Sequence, residues 1–541
     1  MSVCLAHLVD QPPRLECDLS YTATRSRLLF GFNAMTKTAK RSLLIVSAAV
    51  LVAAGAFVTV RLSAPPKNLR RALTQPPVTL SPLTQKYIRV NSSRVVLAHV
   101  RVIDGTGKPA VDDQNVAIEG GKIVAVQSGA DVASSNGITV LDLRGYTVMP
   151  GIIGMHNHLY HIARPDLEAN GDWEAPLLLP QMTFSSPRMY LAAGVTTMRT
   201  TGSVETYADL NLKKMIDSGL VPGPHIDVTG PYLEGPNPYL FMQMHQLTSP
   251  EDARRLVNYW ADQGVTSFKA YMDITRDELK AAIEEVHKRG LKITGHLCSV
   301  TYPEAAALGI DDLEHGFYVN TQLDPGKQPD QCPKSGGKPT MEKMAPDSVE
   351  AKDLIATLVK AHVAITSTLP VFEHSLPGRP PLRPDMLDAM SPEARTAFLY
   401  ARNRRAASPA GNSVEMFQRD MQLEHAFVQA GGLLLAGPDP TGNGGTLPGF
   451  SDQREIELLV EAGFTPVEAI KIATLNGATY MRRQDQIGSI APGKNADIVV
   501  IKGNPAGKID DIEKVEIVFK DGVGYDSQKL FASVRGCYGQ Y

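Results

Sequence analysis

With 541 residues, 43% of them hydrophobic, the chain can bury a large core, and its length allows about two to four domains unless an α/β barrel takes about 250 residues as one unit. A formal net charge of -3 with no block of basic residues excludes nucleic acid as a partner class. Five cysteines (Cys4, Cys17, Cys298, Cys332, Cys537) are too few and too scattered for a disulfide framework or a CxxC metal knot; a single bond such as Cys332–Cys537 stays open.

In chain order, residues 1–41 read as a leader, with Met1 and Met35 both candidate starts. Ser42 to Val60 (SLLIVSAAVLVAAGAFVTV) is a charge-free run; as a helix at about 1.5 Å per residue it just covers a bilayer core of about 30 Å. Lys37, Lys40 and Arg41 precede it, the positive flank of a signal peptide or signal anchor. The length favours an anchor, whereas Ala54-Gly55-Ala56 has the small-x-small form of a cleavage site. The expectation is an exported protein, periplasmic or membrane-anchored through this segment, with the enzyme domain outside the cytoplasm. Residues 61–90 are Pro-rich and aperiodic, a linker.

From residue 91 to 148 the texture is short alternating strands: VVLAHVRVIDG, NVAIEGGKIVAVQ and ITVLDLRGYTVMPG, with Gly120-Gly121 as a hairpin turn. Residues 485–541 return to it in NADIVVIKG and VEIVFKDG. Between them, residues 149–484 alternate strands and helices in eight βα units: VMPGIIGMHNHL, GVTTMRTT, HIDVTGPYLEG, TSFKAYMD, LKITGHL, DDLEHG, HVAITSTLPVF and GLLLAGPDP. Helical patterns fit between them; one runs from an N-cap at Thr275 to Gly290. Eight such units predict a closed (β/α)8 barrel with its active site at the C-terminal strand ends.

The polar residues at those ends carry the chemistry. His156 and His158, two apart on strand one, put both imidazoles on one face, where they can hold a divalent metal; two satisfied core histidines are the ordinary alternative. Lys269, between Phe268 and Ala270 on strand four, is either salt-bridged to a barrel carboxylate or neutral and able to react with carbon dioxide, giving a carbamate ligand. His296 and His315 end strands five and six, where barrel enzymes place functional groups. Glu314 alternates outward from His315 and reads as structural or as a support for a ligand, not as a ligand itself. Asp439 ends strand eight; alone it would read as a turn aspartate before Pro440.

Together these residues, with PGIIGMHNH, GVTTMRTTG, the strand-four lysine, GH, EHG, AGPDP, AGFTPVEAIKIATLNGATYM and IGSIAPGKNADIVVIKGNP, resemble the amidohydrolase superfamily, in its imidazolonepropionase-like and Xaa-Pro or Xaa-Arg dipeptidase-like branch. The resemblance runs from about Val95 to Asp526. It implies a distorted barrel with a small β-sandwich built from the segments before and after it. It also implies two divalent ions, zinc being the best fit: His156, His158 and Asp439 on one, His296 and His315 on the other, and carboxylated Lys269 bridging them. Asp439 would be the catalytic base and acid for hydrolysis of a C–N bond by metal-activated water. Two departures stand out. Gly437-Pro438-Asp439 replaces the family's usual Gly-Thr-Asp, and residues 317–350 form an insertion after strand six.

The partner is a small molecule: a dipeptide, an N-acyl amino acid or an imidazolone-like cyclic amide. Tyr160, His161, Arg199, Tyr232 and Tyr271 are candidates for its pocket. The loop after strand seven, with Arg379, Arg383, Arg395, Arg402, Arg404 and Arg405, could supply a carboxylate clamp. A lactonase or phosphotriesterase, a mononuclear deaminase that would not need Lys269, and a non-catalytic binding protein are the rival readings; a homo-oligomer is open.

Overall fold

The computed structural model describes residues 79–540 apart from 133–136, 164–176, 237–243, 408–412 and 443–444. The apolar run at 42–60 lies outside the described residues, among which no helix is long and apolar enough to cross a membrane. The last part of the segment read as linker is folded: Ser81 caps a short helix, Pro82–Gln85, and β1 (Ile88–Val90) pairs antiparallel with a strand near the chain end.

β2 (Arg94–Val102), β3 (Val111–Glu119), β4 (Lys122–Ser128), β5 (Thr139–Asp142) and β6 (Tyr146–Pro150) follow. Val95 and Leu97 of β2 face one core, and so do Val100 and Val102; that phase shift needs an extra residue. The register breaks between Leu97 and Val100, and His99 sits there at φ 57°, a bulge. The Gly120-Gly121 turn is observed, with Glu119 opposite Lys122 and both glycines at positive φ, as a tight hairpin requires.

Gly151 passes the chain from this sheet to the barrel. A Cβ there would lie 2.0 Å from Thr196 Oγ1, so only glycine fits. The barrel strand β7 (Ile152–Asn157) is followed by a small hairpin, β8 (His161–Ala163) with β9 (Leu177–Leu179). Next come β10 (Val195–Thr200), β11 (His225–Glu234), the short β12 (His245–Gln246), β13 (Ser267–Ala270), β14 (Lys292–Gly295), β15 (Asp312–Glu314), β16 (Ala364–Ser367) and β17 (Leu434–Ala436). Eight of them form a parallel sheet in the order β7-β10-β11-β13-β14-β15-β16-β17, with β12 added beside β11. They are the eight segments read from the sequence. Covered on both faces, they run as near-continuous buried stretches.

The barrel is nearly closed. No ladder joins β17 to β7, but the Asp439 N–H donates to the His156 carbonyl at 3.0 Å, and a Cβ on Gly437 would fall 2.2 Å from the His156 nitrogen. The helix Arg276–Lys288 begins with a capping box between Thr275 and Glu278. Its Leu279, Ala282, Ile283 and Val286 pack on the core at the spacing of one helical face.

β18 (Ile498–Lys502), β19 (Val515–Lys520) and β20 (Val523–Asp526) return to the first sheet, in the order β1-β20-β19-β18-β6-β2-β3-β4 with β5 beside β2. The expected sandwich is therefore one mixed, nine-stranded, hydrogen-bonded sheet. Alternation along β18 joins it to the barrel: Ile498 and Val500 enter the sheet's own core, while Val499 and Ile501 enter the barrel's core.

The insertion at 317–350 is tied down rather than loose. Asp324 accepts from the Ser335 hydroxyl and from the Gly337 and Thr340 N–H groups, and Arg276 grips Asp330 at 2.9 Å. The bond considered between Cys332 and Cys537 is not formed. Cys332 pairs with Cys298, 34 residues away, and Cys537 is free. The reason is tertiary: the insertion folds back over the loop after β14, where Lys327 Nζ also reaches the Ser299 carbonyl at 2.6 Å. Replacing both cysteines with serine should lower unfolding stability by about 3–4 kcal/mol for a loop of this length. Urea unfolding of oxidised protein measures it, and an unchanged midpoint would contradict a stabilising bond.

Candidate metal centre and substrate pocket

His156 and His158 leave β7 with both imidazoles inside the barrel mouth, almost fully buried. Asp439 follows β17 at φ 55°, off the strand, which brings its carboxylate over the histidines. Its Oδ1 lies 3.0 Å from His158 Nε2 and 3.5 Å from His156 Nε2. One ligand atom from each of the three lies within 4.8 Å of the others.

Lys269 stands beside them, 2% exposed, with Nζ 3.3 Å from His156 Nε2 and donating to the Thr201 carbonyl at 3.1 Å. Among the described residues no carboxylate oxygen comes within 4.0 Å of it, so the salt bridge that would have explained a buried lysine is not made. Burial lowers its pKa to about 8 against the opposing pull of Glu314 and Asp439. The His315 ring is 4.7 Å from that of His156, and the His296 ring 4.3 Å from that of His315. Burial holds His156 and His315 well below the ordinary histidine value and His296 at about 3, so these rings are neutral. Burial would raise the Asp439 carboxyl, but His156 and the hydrogen bond from His158 outweigh it, and the group stays ionised. Neutral imidazoles around one carboxylate and a buried amine are a donor set suited to a divalent ion of the zinc class.

Beneath the histidines lies a buried polar network. His156 Nδ1 donates to Glu314 Oε2 at 2.7 Å, which leaves Nε2 to face Asp439. Glu314 is thus inside the barrel, not outward as alternation from His315 had implied. His315 has φ 71°, so the strand's two-residue period ends before it and both side chains reach the interior. The Arg199 guanidinium is buried with them. Its Nη2 lies 2.8 Å from Asp312 and 2.9 Å from Glu314, and its Nε donates to the Met155 carbonyl. Thus Arg199, taken from the sequence as a pocket residue, is committed to this network because its strand points it inward below the mouth. Thr294 and Thr366 hydroxyls donate to Glu314 and Asp312. The alternation of Asp312 and Glu314 about buried Leu313 was the one local sign of this pair.

The tyrosines form one wall of the mouth. The Tyr160 ring is 4.6 Å from that of His158, its hydroxyl is 2.7 Å from the Tyr232 hydroxyl, and Tyr271 bridges Tyr232 and His296 edge-to-face. Opposite, Phe372 meets the His315 ring and stacks on Tyr318 at 3.9 Å; neither was expected. His161 meets the Tyr538 hydroxyl at 3.3 Å, a contact 377 residues apart that nothing local foreshadows. Four loop arginines are engaged elsewhere: Arg379 with Glu373 and Glu461, Arg383 with Asp385 and Glu513, and Arg402 and Arg405 with backbone carbonyls.

The fold recurs among solved structures. A solved Xaa-Pro dipeptidase with methionine bound in its active site overlays with a TM-score of 0.58 at 19% identity, over 80% of this chain and 100% of that one. Adenine deaminase 1 of Latilactobacillus sakei subsp. sakei is 41% identical over 68 residues, 12% of this chain, and an imidazolonepropionase of Streptococcus gordonii 32% identical over 84 residues, 15% of this chain. These alignments span only 11% and 27% of those two relatives. The Amidohydrolase family profile matches residues 147–524, the whole barrel and most of the returning strands, and the chain belongs to that family.

Proposed function

We propose that the protein hydrolyses a C–N bond of a small carbonyl substrate, an Xaa-Pro-like dipeptide or an N-acyl amino acid, at a two-ion centre. The observation that carries this reading is the convergence of His156, His158 and Asp439 at the barrel mouth, with Lys269 3.3 Å from His156. His156, His158 and Asp439 would hold one ion, and His296 and His315 the other. Lys269, once its neutral amine had added to carbon dioxide and lost a proton, would supply an anionic carbamate ligand to the centre. The absence of an ion-pair partner for Lys269 among the described residues supports this, because a carbamate needs the metals and not a lysine salt bridge. Bound divalent ions supply Lewis acidity and lower the pKa of a water.

The chain's own groups do the rest. Glu314 orients His156, with Arg199 fixing Glu314 from below. Asp439 takes the proton from the attacking water and delivers it to the leaving nitrogen. The Tyr160–Tyr232–Tyr271 wall and Phe372 hold an apolar side chain or ring and keep bulk water out. The similarity to a Xaa-Pro dipeptidase supports this substrate class. The Cys298–Cys332 bond supports an oxidising compartment, in line with export through residues 42–60.

Three outcomes follow. Chelator-stripped protein should be inactive on a panel of Xaa-Pro dipeptides and N-acyl amino acids and recover on adding zinc, read as free amine; no metal-dependent release of amine from any of them would refute the assignment. Asp439→Asn should lose about 10²–10⁴-fold in kcat while metal content, measured by elemental analysis, largely survives; wild-type turnover in that variant rules out the proton role. Glu314→Gln should weaken metal affinity or activity about 10–100-fold, seen in a zinc titration of activity.

A further inference from the structure

At the opposite end of the barrel a second group of potential ligands meets. His225 opens β11, Asp497 directly precedes β18, and Asp521 forms the turn between β19 and β20. One ring nitrogen of His225 and one carboxylate oxygen from each aspartate lie within 4.8 Å of one another. The position is a seam: β11 belongs to the barrel, the two aspartates to the mixed sheet.

Several features point to a ligand there. Asp497 is 5% exposed; its Oδ1 accepts from the Asp521 N–H at 2.8 Å, but its Oδ2 is buried with no hydrogen-bond partner. An unsatisfied buried carboxylate oxygen is costly. His225 Nε2 is likewise buried and, although 2.8 Å from Asp521 Oδ2, is not aligned with it as a hydrogen bond. Among the described residues no lysine or arginine comes within 4.0 Å of an Asp497 or Asp521 carboxylate oxygen: Lys213 is held by Asp217 at 2.7 Å, and the buried Lys520 ammonium attracts both aspartates from beyond ion-pair distance. On the other ring nitrogen, His225 Nδ1 faces Asp217 Oδ1 at 3.7 Å. With Nδ1 toward one carboxylate and Nε2 turned to Asp521, a bound ion would take the imidazole through Nε2. Asp521 is half-exposed, which opens the site to solvent and leaves room for water ligands.

We propose that His225, Asp497 and Asp521 bind a divalent ion of the zinc class, separate from the hydrolytic centre, that clamps the barrel to the sheet. One imidazole and two carboxylates suit zinc, cobalt or manganese better than calcium, which favours an all-oxygen shell.

The test uses the full chain stripped with chelator and re-equilibrated with zinc chloride. Wild type should hold about one more ion per chain than either His225→Gln or Asp521→Asn, and both variants should keep hydrolytic activity. To remove the contribution of the first centre, the measurement is repeated in a His156→Asn/His158→Asn background. There zinc should still raise Tm, and adding Asp521→Asn should abolish the rise. Should His225→Gln fail to fold, the half-exposed Asp521 variant gives the same reading. Equal zinc content in wild type and Asp521→Asn, or a zinc-induced rise in Tm that survives the substitution, overturns the proposal and leaves His225 as a protonated partner of the aspartates.

Discussion

The placement of a guanidinium inside the barrel governs the site above it. Arg199 cannot sit uncompensated in a nearly closed barrel, because an isolated buried charge costs several kcal/mol. It is offset by Asp312 and Glu314 from a strand four positions round the sheet. Glu314 in turn has its second oxygen on His156 Nδ1, so one chain of charge-assisted contacts runs from the barrel floor to the first ring of the candidate metal centre. Thr294 and Thr366 hydroxyls from neighbouring strands donate to the same two carboxylates.

Backbone conformation at the strand ends matters as much as the side chains. His315 and Asp439 both adopt positive φ, a costly choice for residues with a Cβ. In each case the strand's alternation stops and the side chain swings over the mouth. The same departure lets Glu314 and His315, adjacent in sequence, both serve the interior. Strain here is a means of gathering more polar groups on one side than a regular strand allows.

Around this centre the walls come from distant parts of the chain. The tyrosine side is built by the connection after β7, by β11 and by the loop after β13, the phenylalanine side by the segment after β16, and the tail supplies Tyr538 against His161. The insertion after β15 is stapled to the loop that carries His296 through Cys298–Cys332. Such a mouth can change its substrate by changing loops while the strand ends stay as they are.

Eight strands, the helix cap at Thr275, the hairpin at Gly120-Gly121 and the candidate ligands His156, His158 and Asp439 were legible in the sequence. All of these rest on local periodicity or on residue types that need an explanation where they stand, as Lys269 does on an apolar strand. The sequence could not determine that Glu314 faces inward, because nothing in the histidine at 315 announces a left-handed backbone. Nor could it show that Arg199 belongs to the floor and not the pocket, since both readings place a charged residue on the same strand. The pairing of Cys298 with Cys332, the single mixed sheet in place of a sandwich, Tyr538 at the mouth and the meeting of His225 with Asp497 and Asp521 were likewise decided only in three dimensions. Each depends on which distant segments the closed barrel and the returning strands bring together, and no local pattern carries that information.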